Sequence, residues 1–83
     1  MDHSTVDQRL SAIKPGNAVY VKDIVQSDLK TKLMEMGIVK GQPIVVMFKA
    51  PLGDPIAVDV NGYLLSLRLE EAVLVKVEIA AAE

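Results

Sequence analysis

Histidine and carboxylate side chains are the groups that could give this 83-residue chain a metal site. His3 is the only histidine, and Asp2 and Asp7 lie near it in the sequence. Together they could hold an ion loosely, but a structural metal site needs three or four ligands fixed on a folded scaffold. Because this N-terminal segment is polar and without clear periodicity, we expect a solvated tail and no metal site.

The rest of the chain lacks the groups that covalent catalysis requires. It has no cysteine, no second histidine and no Gly-x-Ser-x-Gly motif, so a nucleophile would have no base. No Gly-x-x-x-x-Gly-Lys-Ser/Thr phosphate-binding loop occurs. The carboxylates in the body of the chain show no metal-ligand spacing; they are Asp23, Asp28, Glu35, Asp54, Asp59, Glu70, Glu71 and Glu78. We therefore predict a protein that is not an enzyme and uses no cofactor or metal.

Composition argues against two further classes of function. The net charge is −2 and the aromatic residues number only one Phe and two Tyr, which disfavours a nucleic-acid-binding surface. No apolar run approaches the roughly 18 residues that span a bilayer, so we expect no membrane insertion. The opening Met1–Ser4 lacks the basic and apolar regions of a signal peptide, which favours the cytoplasm.

The chain length allows one domain, which we place at residues 10–79 between a flexible tail at 1–9 and a frayed end at 80–83. Alternating apolar residues predict about five short strands, at 17–25, 43–49, 56–60, 63–67 and 73–79. So small an antiparallel sheet leaves exposed edges unless it curls. The pattern predicts a mainly β fold, a partly open antiparallel barrel with one short helix at one end.

That helix is predicted between Ser27, a favourable N-cap, and Gly37, a left-handed C-terminal residue. Leu29, Leu33 and Met36 form its apolar stripe. Met34 falls about 140° from Leu29 around the helix, off this stripe. In the strand that follows, Ile44, Val46 and Phe48 are predicted to share one face.

Several turns are specified by their residue types. Pro51 to Pro55 brackets a Gly-Asp pair and predicts a rigid turn, in which Asp54 forms an Asx-type turn. Asn61-Gly62 predicts a type I′ hairpin. Residues 68–72 predict a single 3₁₀ turn. Arg68 could form one ion pair in a solvated turn with Glu70 and Glu71. The alternative, which we favour, is that its side chain hydrogen-bonds loop carbonyls and fixes the corner before the last strand. The residues assigned to structural turns are Gly37, Gly41, Pro51, Gly53, Pro55, Gly62 and Arg68.

An ordered series of motifs resembles one family over residues 10–77. The series comprises Leu33, Met36-Gly37, Gly41, the Ala50–Ile56 turn, Asn61-Gly62-Tyr63 and the run from Leu67 to Ala72. It resembles the FeoA family, the small cytosolic proteins of bacterial ferrous iron transport. The resemblance implies an SH3-like fold and a non-catalytic accessory role. It also implies a protein partner, the membrane transporter FeoB, whose own GTPase domain would perform any nucleotide hydrolysis.

Apolar residues at turns and off the helix stripe are candidates for the docking surface. Leu52 lies at a turn tip, and we expect it to cluster with Met34 and the corner at residues 36–39. Lys30, Lys32 and Lys40 flank this region and could steer a negatively charged partner. The predicted partner-binding residues are Met34, Met36, Gly37, Ile38, Leu52, Gly53 and Asp54.

Two rival functions are weighed beside docking on FeoB. Similar SH3-like domains follow the DNA-binding parts of iron-dependent repressors, so the chain could be a detached regulatory module. A nucleic-acid-binding small barrel is a third interpretation, which the acidic balance and the few aromatic residues oppose. The sequence leaves the oligomeric state open, including a homo-oligomer.

Overall fold

The computed structural model describes residues 8–80, which form one six-stranded antiparallel sheet. The strands lie in the spatial order β1-β6-β2-β3-β4-β5. Their bounds are β1 Gln8–Arg9, β2 Ala18–Ile24, β3 Pro43–Lys49, β4 Ile56–Val60, β5 Tyr63–Leu67 and β6 Val75–Ile79. Two short helices, α1 Lys30–Glu35 and α2 Leu69–Ala72, connect β2 to β3 and β5 to β6. The mainly β fold expected from the sequence is confirmed.

Two elements differ from the prediction. Gln8 and Arg9, assigned to the tail, form β1 because they pair with Val77 and Lys76 of β6. The segment at 69–72 is a turn of α-helix rather than a 3₁₀ turn. At the other end, the backbone N–H of Ala80 donates to the Ala18 carbonyl at 3.0 Å, so it is held to the sheet.

The core is aliphatic and is built from the strands, from Leu33 of α1 and from the segments that connect the strands. Side chains that are fully buried include Leu10, Leu33, Ile38, Ile44, Ile56 and Leu67. They come from three strands, from α1 and from connecting segments, and every strand except β1 contributes at least one buried residue. Burial of one such side chain contributes about 1.5–3 kcal/mol. Burial of Leu33 therefore stabilises α1, which is too short to form alone.

A β-bulge in β3 overturns part of the predicted alternation. Val46 pairs with Val58 but Phe48 pairs with Ala57, so the register shifts between them. An extra residue in one strand turns the following side chains to the other face. Ile44 and Val46 are both buried, but Phe48, predicted on the same face, is 58% exposed.

The backbone at the predicted turns agrees with the residue types. All five glycines have positive φ, among them the predicted Gly37, Gly41, Gly53 and Gly62. Asn61 has φ 57° and Gly62 has φ 86°, the pair of positive values that a type I′ hairpin requires. This hairpin sets the register of β4 against β5 by pairing Val60 with Tyr63.

Candidate functional site

Leu52 is the most exposed apolar residue of the described chain, and its backbone is unusual. Its side chain is 100% exposed at the tip of the turn between β3 and β4. The Gly53 N–H donates to the Ala50 carbonyl at 2.8 Å, and the Ala50 N–H donates to the Pro55 carbonyl at 3.0 Å. Leu52 has φ 70° and ψ 6°, which match the third position of a type II turn, where glycine or asparagine is favoured. A leucine that is both exposed and left-handed contributes little to the stability of the fold.

Asp54 anchors this turn, although not as an Asx turn. Its Oδ1 accepts the backbone N–H of Leu69 at 3.1 Å, at the start of α2. The predicted Asx turn is therefore wrong, since the hydrogen bond reaches 15 residues along the chain. The carboxylate instead fixes the Leu52 tip relative to α2.

The C-terminus of α1 ends in a Schellman motif, and this corrects one predicted partner residue. The Gly37 N–H donates to the Met34 carbonyl at 3.0 Å, and the Ile38 N–H donates to the Leu33 carbonyl at 3.1 Å. This pattern brings the residue after the glycine back against the helix. Ile38 is consequently fully buried beside the core and cannot contact a partner directly. Met36 is half-buried and packs on the core.

Met34 is exposed, as its position off the stripe predicts, and it lines a small cleft. The cleft has a volume of about 160 Å³ and lies between α1, the end of β2 and the turn before β3. Its lining residues are Asp23, Ile24, Lys30, Met34, Val39 and Lys40. The cleft thus combines exposed apolar side chains with two lysines.

A larger polar cleft of about 540 Å³ lies on another side of α1. It is lined by Lys32, Asp54, Pro55, Ser66, Arg68 and Glu71. Since Lys32 and Met34 point about 200° apart around the helix, the Asp54 turn and Met34 flank α1 on different sides. The residues of the single patch predicted from the sequence are therefore separated: Asp54 lines the polar cleft, Met34 lines the smaller cleft, and Leu52 lines neither.

The environments of Glu71 and Arg68 are the reverse of those predicted, because Glu71 is buried and the Arg68 side chain is exposed. The Glu71 side chain is only 3% exposed and pairs with Lys32, whereas solvation was predicted. The Arg68 side chain is 75% exposed and approaches only Glu70, at 3.8 Å. Its backbone N–H, rather than its guanidinium, makes the corner by donating to Glu71 Oε1 at 2.9 Å. No hydrogen bond from the guanidinium to a loop carbonyl is present within residues 8–80.

An apolar cleft on the outer face of β3, β4 and β5 was missed from the sequence. It has a volume of about 190 Å³ and is lined by Phe48, Ala50, Pro55, Ala57, Leu64, Leu65 and Ser66. Phe48 and Leu64 are 58% and 61% exposed. The alternation that places Phe48 on the same face as Ile44 and Val46 fails at the bulge, and the sequence gives no signal for that bulge.

The described residues contain neither a candidate metal-binding group nor a candidate membrane-spanning helix. No group of three or more His, Asp or Glu side chains in this range could hold a metal ion. His3, Asp2 and Asp7 lie outside the described residues. No helix of the described chain is long and apolar enough to cross a membrane.

A small antiparallel sheet of short strands with short helical connections is typical of the SH3-like fold, which hosts many unrelated functions. The chain belongs to the FeoA domain family, whose model matches residues 8–79. It is 36% identical over 75 residues to an Fe(2+) transport protein A/Fe(2+) transporter FeoB fusion protein from Porphyromonas gingivalis. That match covers 89% of this chain but only 9% of the relative, so the chain spans a small part of the fusion.

Solved structures of FeoA proteins are similar to this chain. The FeoA-like protein from Clostridium acetobutylicum is 41% identical with a TM-score of 0.86, over 95% of this chain and 93% of that one. FeoA from Stenotrophomonas maltophilia, a prokaryotic SH3 domain protein, is 28% identical with a TM-score of 0.75, over 86% and 89%. A manganese-dependent transcriptional repressor has a TM-score of 0.81 at 18% identity, over 93% of this chain and 43% of that one. The last similarity shows the fold alone.

Proposed function

We propose that this chain is a non-catalytic accessory protein of ferrous iron uptake. It docks from the cytoplasm on the membrane transporter FeoB and assembles that transporter or tunes its activity. The observation that carries the proposal is the relative in which an FeoA part and FeoB share one polypeptide. A covalent link holds two modules at high effective concentration, which is useful when the two must meet repeatedly.

Exposed apolar side chains at the tip of the turn between β3 and β4 and on α1 support docking as the mode of action. Leu52 projects fully from a turn that Asp54 fixes to α2, and Met34 lies 47% exposed on α1. Rigid turns reduce the entropy lost when such residues are buried by a partner. Nucleotide hydrolysis belongs, in this proposal, to the GTPase domain of FeoB.

Co-purification tests the proposal. The tagged chain is mixed with detergent-solubilised FeoB from the same organism, with and without guanine nucleotide, and the complex is isolated by size-exclusion chromatography. We expect a stable complex in at least one nucleotide state and lower ferrous iron uptake after deletion of the gene. Absence of any complex together with unchanged uptake would remove the proposal. The repressor-like alternative rests on the fold alone, and a repressor gene beside this one would favour it.

A further inference from the structure

The cleft beside Met34 is lined by apolar side chains and by two lysines. Met34 and Val39 are 47% and 39% exposed within it, and Lys30 and Lys40 stand at its edge. Asp23 is the only carboxylate among its lining residues. The volume of about 160 Å³ is comparable to that of apolar cavities which hold a benzene-sized group. One large side chain of a partner would fill it.

The charges around this cleft are unbalanced. Asp23 Oδ1 already accepts the backbone N–H of Ile24 at 2.8 Å. That hydrogen bond, and then the nearby ammonium groups of Lys30, Lys40 and Lys76, hold the pKa of Asp23 below its ordinary value. Within residues 8–80, Lys30 and Lys40 form no ion pair with a carboxylate, and the Lys30 ammonium group donates a long hydrogen bond of 3.5 Å to Gln26 Oε1. The cleft is therefore locally positive in a chain whose net charge is −2.

We propose that the cleft receives a protein segment in which a large apolar side chain stands beside an aspartate or glutamate. The apolar group packs on Met34 and Val39, since methionine adapts readily to the shape of a partner. The carboxylate lies between Lys30 and Lys40 and compensates ammonium groups that docking would otherwise desolvate unpaired. This inference rests on the proposed function, and it names the chemistry of the FeoB segment that binds here.

Charge reversal tests the cationic half. Lys30→Glu and Lys40→Glu are compared with Lys14→Glu, which makes the same change of charge at an exposed lysine outside the cleft. Lys30 is the first residue of α1, where a negative charge suits the helix dipole, so this variant should fold. We expect each cleft variant to bind solubilised FeoB about tenfold more weakly, and Lys14→Glu to change affinity less than about twofold.

Two methionines of similar exposure test the apolar half. Met34 lines the cleft and Met47, 45% exposed on β3, does not. Met34→Ser should weaken FeoB binding at least fivefold, a typical loss for one buried apolar contact, while Met47→Ser should leave it within about twofold. Equal effects of the two substitutions, or none, would overturn the inference.

Carbodiimide crosslinking identifies the partner's acidic group directly, because it joins an ammonium group to a carboxylate in contact with it. We expect an amide bond between Lys30 or Lys40 and an aspartate or glutamate of FeoB, found by mass spectrometry. Crosslinks confined to other lysines would overturn the inference.

A membrane surface is the rival occupant. Charge-reversal variants that lose binding to phosphatidylglycerol vesicles while keeping full affinity for FeoB would assign the cleft to lipid and overturn the inference. FeoB binding that survives all the cleft substitutions defeats this inference alone, whereas a wild-type chain that never binds FeoB defeats the proposed function with it.

Discussion

Lys32 Nζ lies 2.5 Å from Glu71 Oε2, and this ion pair joins α1 to α2 across the large polar cleft. The Glu71 side chain is 3% exposed and that of Lys32 is 57% exposed. The second carboxylate oxygen of Glu71 accepts the Arg68 N–H at 2.9 Å. Both oxygens of this buried group are thus satisfied, and the pair sets the position of α2 relative to α1.

Glu71 should make the stability of the fold depend on pH. The hydrogen bond from Lys32 first, and then that from Arg68, hold the Glu71 pKa below its ordinary value of 4.5. A group whose pKa is lowered by folding stabilises the fold above its unfolded pKa. Its contribution should therefore be complete above about pH 5 and should be lost as the pH falls through the lower folded value.

Glu71→Gln should lower the free energy of unfolding by about 2 kcal/mol at pH 7, because it removes charged hydrogen bonds from a buried site. It should also flatten the decline in stability below pH 5. Glu70→Gln is the control, since it removes the same charge from a side chain that is 65% exposed. Urea unfolding at pH 7 and pH 4 measures both, and identical pH profiles for the two variants would contradict the role of Glu71.

The Arg68 side chain should contribute much less to the stability of the fold than its position in the corner before α2 suggests. Its side chain is 75% exposed and its ion pair with Glu70 spans 3.8 Å, a geometry worth less than about 0.5 kcal/mol. The structural bond comes from its backbone N–H, which any residue except proline supplies. Arg68→Ala should therefore unfold within about 0.5 kcal/mol of the parent in urea. A loss above about 1.5 kcal/mol would show that the guanidinium itself holds the corner.

Substitutions of Gly37 should lower the stability of the fold because of the backbone conformation of this residue rather than because of steric contacts. Its φ is +98°, and an added Cβ would lie 3.6 Å from Val60 Cγ1, an ordinary contact. Gly37→Ala should cost about 1–2 kcal/mol in the left-handed conformation. Gly37→Asn should cost less, because asparagine tolerates that conformation better. Thermal melts equal to the parent for both variants would refute this.

Substitutions of Leu52 should weaken binding without lowering the stability of the fold. Leu52→Gly relieves the left-handed strain, so the free energy of unfolding should stay the same or rise by up to about 1 kcal/mol. The same change should weaken FeoB binding, since it removes the exposed apolar tip. Leu52→Asp should also lose binding without loss of stability. Lower melting temperatures for both variants would show that Leu52 supports the fold.

Local residue types determine part of this protein's structure independently of tertiary contacts. Asn61-Gly62 permits two positive φ values, so the hairpin follows from the sequence, and Gly37 likewise ends α1 where expected. The stripe that leaves Met34 exposed follows from helical periodicity, and the aliphatic alternation of β4 follows from strand periodicity. These features depend on neighbours within about four residues, which the sequence displays.

Only the tertiary structure decided which side chains meet across long separations. The Lys32–Glu71 pair spans 39 residues, and Asp54 and Leu69 are 15 residues apart, so no spacing rule predicts either contact. The bulge that exposes Phe48 arises from pairing with β4, not from the composition of β3. The chain's local preferences therefore determine its turns and strands, while the burial of Glu71 and Ile38 and the separation of Met34 from Asp54 around α1 depend on how those elements pack.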